Sequence, residues 1–245
     1  MGFQGGGIGL HFTGTGIGMI AAFLAMLLFS ALGMTEARAG SGSADSGRKI
    51  PDAVGFGLLP GIAVWKVFEQ NTRLGTGITS SDPVSGIALI TEGGRYAVSR
   101  AEMILAAVCF AGIILWMMQS RNELFGNGDL LLTVLCVWGL TRAFTESFRE
   151  NVLLREGIFN LSQILMLAAA DVSMAVWTVR LEAAQKNTAI SVLEWIAVLS
   201  CETVLILNNA GILSAGSRIG DMAVNAGCVI LSMILMLSAG KDSRC

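Results

Sequence analysis

Long apolar stretches separated by short polar ones dominate the chain, and most of them have the length of a transmembrane helix. A helix needs about 20 apolar residues to cross the hydrocarbon core of a bilayer. Stretches of roughly this length occupy residues 14–35, 103–120, 157–179, 191–217 and 222–240. Another begins at residue 130 and continues beyond 141 into a charged segment. The pattern predicts an all-α fold, a polytopic transmembrane helical bundle of about five to six spans.

A shorter apolar stretch at residues 52–66 departs from this pattern. Its interruptions are Gly55, Gly57, Pro60 and Gly61. Proline and glycine disfavour the interior of a regular helix, so we expect a short re-entrant or interfacial helix here. The following segment, 67–100, is polar and glycine-rich. We expect it to form an extramembrane loop.

The apolar stretches also suggest how the chain is organised. Residues 1–188 are expected to form one transmembrane domain that includes the loop at 67–100, and residues 189–245 an additional C-terminal pair of transmembrane helices. No internal repeat is visible between the stretches, so a transporter built from inverted repeats has no direct support in the sequence.

Composition restricts the classes of function further. Hydrophobic residues make up 53% of the chain, charged residues 14%, and the mean hydropathy is +0.68, which excludes an ordinary soluble domain. The formal net charge is −2 and no dense basic block occurs, so nucleic acid is not an expected partner. One histidine and five scattered cysteines supply no cluster with ligand spacing. We therefore expect neither a metal nor a cofactor.

The most informative polar residues lie in the segment WGLTRAFTESFRE. Trp138, Arg142, Glu146 and Arg149 are spaced so that they share one face of a helix. An arginine within an apolar helix is expected to face protein, water or an anionic ligand, and its planar guanidinium suits phosphate. A phospholipid headgroup is the natural ligand. An alternative interpretation explains the same pattern without a ligand. In it, the charged residues form salt bridges with one another along the helix, and Arg149 extends to the membrane surface.

A second polar feature is the glycine-rich start of the first stretch, GGGIGLHFTGTGIG. Gly14 and Gly18 form a small-xxx-small pattern, which favours close packing of two helices. His11 is the single histidine of the chain. An imidazole titrates near neutral pH, so His11 is a candidate general base as well as a candidate structural hydrogen-bond donor.

The stretch from Glu102 to Gln163 resembles the phosphatidylglycerol–prolipoprotein diacylglyceryl transferases of bacterial membranes. That family has a Tyr-Gly-x-x-Arg helix with Glu and Arg one and two turns later, followed by a Ser/Gly-Gln-Ile-Leu helix. WGLTRAFTESFRE and NLSQILML are similar in order and spacing, with a tryptophan at the position of the family tyrosine. The matching positions, which the resemblance makes candidate site residues, are Trp138, Arg142, Glu146, Arg149, Ser162 and Gln163.

The resemblance extends upstream over two shorter segments and one glutamate. The glycine-rich start, with Gly14 and Gly16, resembles the family's Phe-His-Gly-Gly segment, and FEQNTRLG, with Gly75, resembles an asparagine- and glycine-containing loop. Glu102 in YAVSRAE corresponds to the glutamate of a third family motif. Thr13 and Val64 stand at the positions of a family histidine and a family arginine.

The resemblance implies transfer of a diacylglyceryl group from phosphatidylglycerol to the lipobox cysteine of a prolipoprotein, in the bacterial inner membrane. Arg142 and Arg149 would hold the phosphate, Glu146 would orient the guanidinium groups, and Gln163 would add a hydrogen bond. His11 or Glu102 would act as the base. The expected partners are phosphatidylglycerol, other membrane lipid and the prolipoprotein signal peptide. Two alternatives stay open: an inactive family member that binds phospholipid or preprotein, and an unrelated transporter-like bundle.

Overall fold

The structure is a computed structural model that describes residues 18–32, 50–69, 76–79, 95–119, 128–146, 155–156, 159–183 and 188–242. The helices are α1 (Gly18–Leu32), α2 (Ile50–Glu69), α3 (Val98–Gln119), α4 (Asp129–Glu146), α5 (Leu161–Ala183), α6 (Thr188–Asn209) and α7 (Arg218–Asp242). Two short strand pairs accompany them: β1 (Thr76–Thr79) with β2 (Arg95–Ala97), and β3 (Arg155–Glu156) with β4 (Phe159–Asn160). The prediction of a helical fold is confirmed.

Within the described residues, four helices are long and apolar enough to cross a membrane. Their apolar segments are Ile50–Val67 in α2, Leu161–Leu181 in α5, Val192–Asn209 in α6 and Gly220–Ala239 in α7. Many of their large apolar side chains are exposed, including Leu165, Val179, Leu193 and Ile234. Lipid would cover such side chains, so the chain has the properties of a membrane protein.

The prediction of a short, broken element at 52–66 is wrong, because α2 continues through Pro60 for 20 residues. Two of the glycines that suggested interruptions, Gly57 and Gly61, are packing positions. A Cβ at Gly57 would collide with the backbone oxygen of Met26, and one at Gly61 would lie 3.0 Å from the Met26 Cβ. Close approach of α1 therefore requires glycine on this face of α2, and a helix can still satisfy most of its backbone hydrogen bonds around a proline.

One compact unit contains α1, α2, α3 and the first residues of α4, within Met1–Thr76 and Ala97–Leu130. Phe110 of α3 packs edge-on against Phe29 and Phe56, with ring centroids 5.6 and 5.2 Å apart. The fully buried Asp52 accepts hydrogen bonds from the backbone N–H groups of Gly128 and Leu130, at 3.2 and 2.8 Å. A carboxylate of α2 thus caps the start of α4.

The second compact unit covers Gly77–Tyr96 and Leu131–Cys245. Its core joins residues of α4, α5, α6 and α7, with Leu140, Met174, Trp177, Leu205 and Met236 almost completely buried. The C-terminal helices α6 and α7 pack extensively against each other and also contact α5. The residues predicted to form an added pair therefore share their core with α4 and α5.

Candidate functional site

The candidate site lies at the C-terminal end of α4, where polar side chains follow an apolar helix. Arg142 Nη1 lies 2.5 Å from Glu146 Oε2, and the side chains are 14% and 3% exposed. The two residues are one helical turn apart, so the helix itself brings them together. The spacing of Arg142 and Glu146 in the sequence, on one face of a helix, thus results in an ion pair. Because both groups are largely enclosed by protein, each compensates for the lost hydration of the other.

The neighbouring helix α5 reaches this end of α4 through Gln163. The Gln163 side chain is 2% exposed, and its Nε2 donates a hydrogen bond to the backbone oxygen of Ala143 at 3.3 Å. Asn160 accepts a hydrogen bond from the Gln163 backbone N–H at 3.3 Å, which caps the start of α5. The hairpin of β3 and β4 leads directly into this cap. Gln163 is thus fixed by α5 and tied to α4 one residue after Arg142.

Hydroxyl groups occupy the same turn of α4. Thr141 donates to the backbone oxygen of Val137 at 2.7 Å, and Thr145 donates to that of Arg142 at 3.1 Å. Trp138, one turn before Arg142, is 8% exposed and belongs to the buried residues of α4. Ser162 is partly buried beside Gln163 at the start of α5. Of the candidate residues, Arg142, Glu146 and Gln163 therefore lie at one contact between α4 and α5, while Trp138 lies one turn earlier in α4.

Gly139 allows α4 and α5 to approach closely beside these residues. A Cβ at Gly139 would lie 2.6 Å from the backbone oxygen of Met166 and 3.3 Å from the Ala170 Cβ. The backbone of α5 cannot give way as a flexible side chain can. The distance between the helices, and with it the position of Gln163 relative to Arg142, depends on a glycine here.

We predict that Gly139→Ala destabilises the protein by about 1–3 kcal/mol, because the added methyl group overpacks the contact between α4 and α5. Gly227→Ala is the matched control, since Gly227 lies within α7 and a Cβ there meets no atom within 4 Å. This control is expected to be neutral or slightly stabilising, because alanine favours a helix over glycine. Thermal unfolding of the two variants in detergent measures the difference. Equal midpoints would contradict the close packing at Gly139.

Glu102, the other candidate base that the structure describes, belongs to the first compact unit. It is completely buried in α3, and its Oε2 lies 2.6 Å from Lys66 Nζ of α2. Lys66 is also buried, with 6% of its side chain exposed. The carboxylate of Glu102 is therefore already engaged with a buried cation of the neighbouring helix. Sequence reasoning missed Lys66, whose partner is far away along the chain.

The remaining candidate residues, His11, Gly14, Gly16, Gly75 and Arg149, lie outside the described residues, as does Thr13. Val64, at the position of the family arginine, is a partly buried residue of α2. Their proposed roles stay predictions.

No protein-family model, curated protein or solved structure matches the chain.

Proposed function

We propose that the chain is a divergent phosphatidylglycerol–prolipoprotein diacylglyceryl transferase of the bacterial inner membrane. The observation on which the proposal rests is the enclosed Arg142–Glu146 pair at the end of an apolar helix, tied to α5 through Gln163. A guanidinium oriented by a carboxylate suits recognition of a phosphodiester, and a membrane bundle gives access to lipid. The resemblance of WGLTRAFTESFRE and NLSQILML to the family motifs supplies the reaction.

The proposed reaction breaks one bond of the lipid and forms one thioether. The lipobox thiolate attacks the glyceryl carbon that carries the phosphate, the C–O bond to phosphate breaks, and glycerol phosphate leaves. Arg142 and Arg149 would stabilise the negative charge on the leaving phosphate, and Glu146 would hold Arg142 in place. The thiol proton would pass to a base, for which His11 and Glu102 are the candidates. The expected partners are phosphatidylglycerol and the signal peptide of a prolipoprotein.

The membrane topology that we propose has five to six spans. The helices α2, α5, α6 and α7 would provide four, and one or two of α1, α3 and α4, which lie in the other stretches predicted to cross the bilayer, would provide the rest. The segment between α2 and α3 would lie outside the bilayer. Labelling of single introduced cysteines with a membrane-impermeant maleimide would test these assignments.

A second candidate is a family member that binds phospholipid or preprotein without catalysis. The observation that favours it is the ion pair of Lys66 with Glu102, which occupies one of the two candidate bases. The replacement of a family histidine by Thr13 and of a family arginine by Val64 also favours a family member without catalysis.

The transfer assay that tests the proposal uses the purified full chain in phosphatidylglycerol vesicles with a synthetic lipobox peptide. We expect the peptide to gain the mass of a diacylglyceryl group on its cysteine. A peptide with serine in place of that cysteine, and vesicles of phosphatidylcholine alone, are the controls and should give no product. Absence of product with retained, Arg142-dependent binding of phosphatidylglycerol would replace catalysis with the binding function. Absence of both would contradict the family assignment and favour the transporter-like alternative.

A further inference from the structure

Two acidic side chains lie within the apolar segments of α5 and α6, away from the candidate site. Asp171 stands midway between the ends of Leu161–Leu181, and Glu202 lies in the inner part of Val192–Asn209. Ionisable side chains are rare at this depth because ionisation in a low-dielectric medium is costly. Where they occur, they usually face the interior of a bundle and have a function.

The two carboxyl groups are close together in space. Each lies within hydrogen-bonding reach of the other. Glu202 is 6% exposed, while Asp171 is partly buried. The oxygens Asp171 Oδ1 and Glu202 Oε1 are fully enclosed and accept no hydrogen bond. Buried carboxylate oxygens normally accept hydrogen bonds, so these two oxygens lack the hydrogen-bond donors that they would be expected to have.

Within the described part of the chain, the groups around the pair supply neither a compensating cation nor a metal site. Cys136 of α4 is near enough to interact electrostatically with both carboxyls, and its Sγ donates to Met236 Sδ of α7 at 3.5 Å. Among the residues that the structure describes, no lysine, arginine or histidine reaches Asp171 or Glu202. The same residues contain no group of three side chains suited to a metal ion.

We propose that Asp171 and Glu202 form a proton-binding site within the membrane, in which the two carboxyl groups share one proton. Two carboxylates are both acceptors, so they can hydrogen-bond to each other only when one carries a proton. A shared proton also removes one of two adjacent negative charges, whose repulsion would be strong in an apolar medium. This proton-binding site does not depend on the proposed transferase function.

The shared proton gives the contact between α5 and α6 a defined charge state. With one proton the pair carries a single negative charge, and with two it is neutral. Either state is less costly within the membrane than two ionised carboxylates. Proton uptake or release at this pair would therefore change the interaction between α5 and α6, as it does at other intramembrane carboxyls.

Dicyclohexylcarbodiimide, an apolar reagent that modifies protonated carboxyl groups, tests the proposal on the full chain in vesicles at pH 7. It takes up the carboxyl proton and bonds to the carboxyl oxygen, and rearrangement gives a stable N-acylurea that peptide mass mapping can locate. We expect the modification on Asp171 or Glu202, with the same yield in sodium and in potassium buffer. Asp221 is the internal control, because its carboxylate accepts hydrogen bonds from Ala215 N at 2.6 Å and Ser214 Oγ at 3.4 Å. Asp221 should stay unmodified.

The labelling outcomes separate the proposal from its alternatives without any variant that might fail to fold. Loss of the modification when sodium replaces potassium would identify a sodium site and overturn the proton site. Absence of modification at both residues, with the reagent reacting elsewhere, would mean that both carboxyls are ionised and would overturn it too. As a second measurement, the infrared band of a protonated carboxyl should disappear in Asp171→Asn/Glu202→Gln. A band unchanged in that double variant would also contradict the proposal.

Discussion

Replacement of Arg142 by lysine is expected to lower diacylglyceryl transfer by about a hundredfold or more, while membrane insertion and protein level stay unchanged. Lysine keeps the positive charge but lacks the planar guanidinium, which can donate two parallel hydrogen bonds to phosphate. Because insertion depends mainly on hydrophobicity and charge, it should tolerate the exchange. The transfer assay with the lipobox peptide measures the loss directly.

Arg100→Lys is the matched control for this experiment. Arg100 is an exposed arginine near the start of α3, and its replacement is expected to leave transfer at the wild-type rate. If Arg142→Lys and Arg100→Lys showed the same activity, Arg142 would serve only as a partner of Glu146. A phosphate-binding role of Arg142 would then be contradicted.

The largest effect on stability is expected from Glu102→Gln, with a loss of about 3–5 kcal/mol, since the change leaves the ammonium group of Lys66 buried without its carboxylate. Denaturant unfolding of the detergent-solubilised protein measures this loss. Both side chains of the pair are at most 6% exposed, so water cannot compensate for the missing partner.

The double variant Lys66→Met/Glu102→Leu separates a structural role of Glu102 from a catalytic one. Removal of both charged groups takes away the buried ion pair as a whole, and apolar side chains of similar size are expected to restore most of the stability. If the stable double variant transfers lipid, Glu102 is not the base and His11 becomes the leading candidate. A double variant no more stable than Glu102→Gln would contradict the importance of the ion pair.

The sequence predicts those parts of the fold that depend on local patterns. The stretches behind α5, α6 and α7 have few charges and sufficient length, and helices occur at all three. The prediction of a short element at 52–66 is wrong because glycine and proline need not end a helix that packs closely against a neighbour. Their role in packing against α1 depends on a helix elsewhere in the chain, which no local window of the sequence contains.

In the candidate site, too, the sequence predicts local contacts but not contacts between different helices. Arg142 and Glu146 pair through the spacing of one helical turn, which the sequence displays directly. Gln163 instead donates a hydrogen bond to the backbone oxygen of Ala143. Every residue has such an acceptor, so the residue types in the sequence cannot identify the partner of Gln163. The pairs of Lys66 with Glu102 and of Asp171 with Glu202 join different helices, and only tertiary packing establishes such contacts.

Complementation in bacteria depleted of their own diacylglyceryl transferase is the most direct test of the proposed function. We predict that expression of this chain restores growth and that lipoproteins from these cells carry diacylglyceryl-cysteine by mass spectrometry. Cells that express Arg142→Lys at the same level should neither grow nor modify their lipoproteins. If the wild-type chain is inserted in the membrane, yet growth is not restored and lipoproteins keep an unmodified cysteine, the transferase function is contradicted.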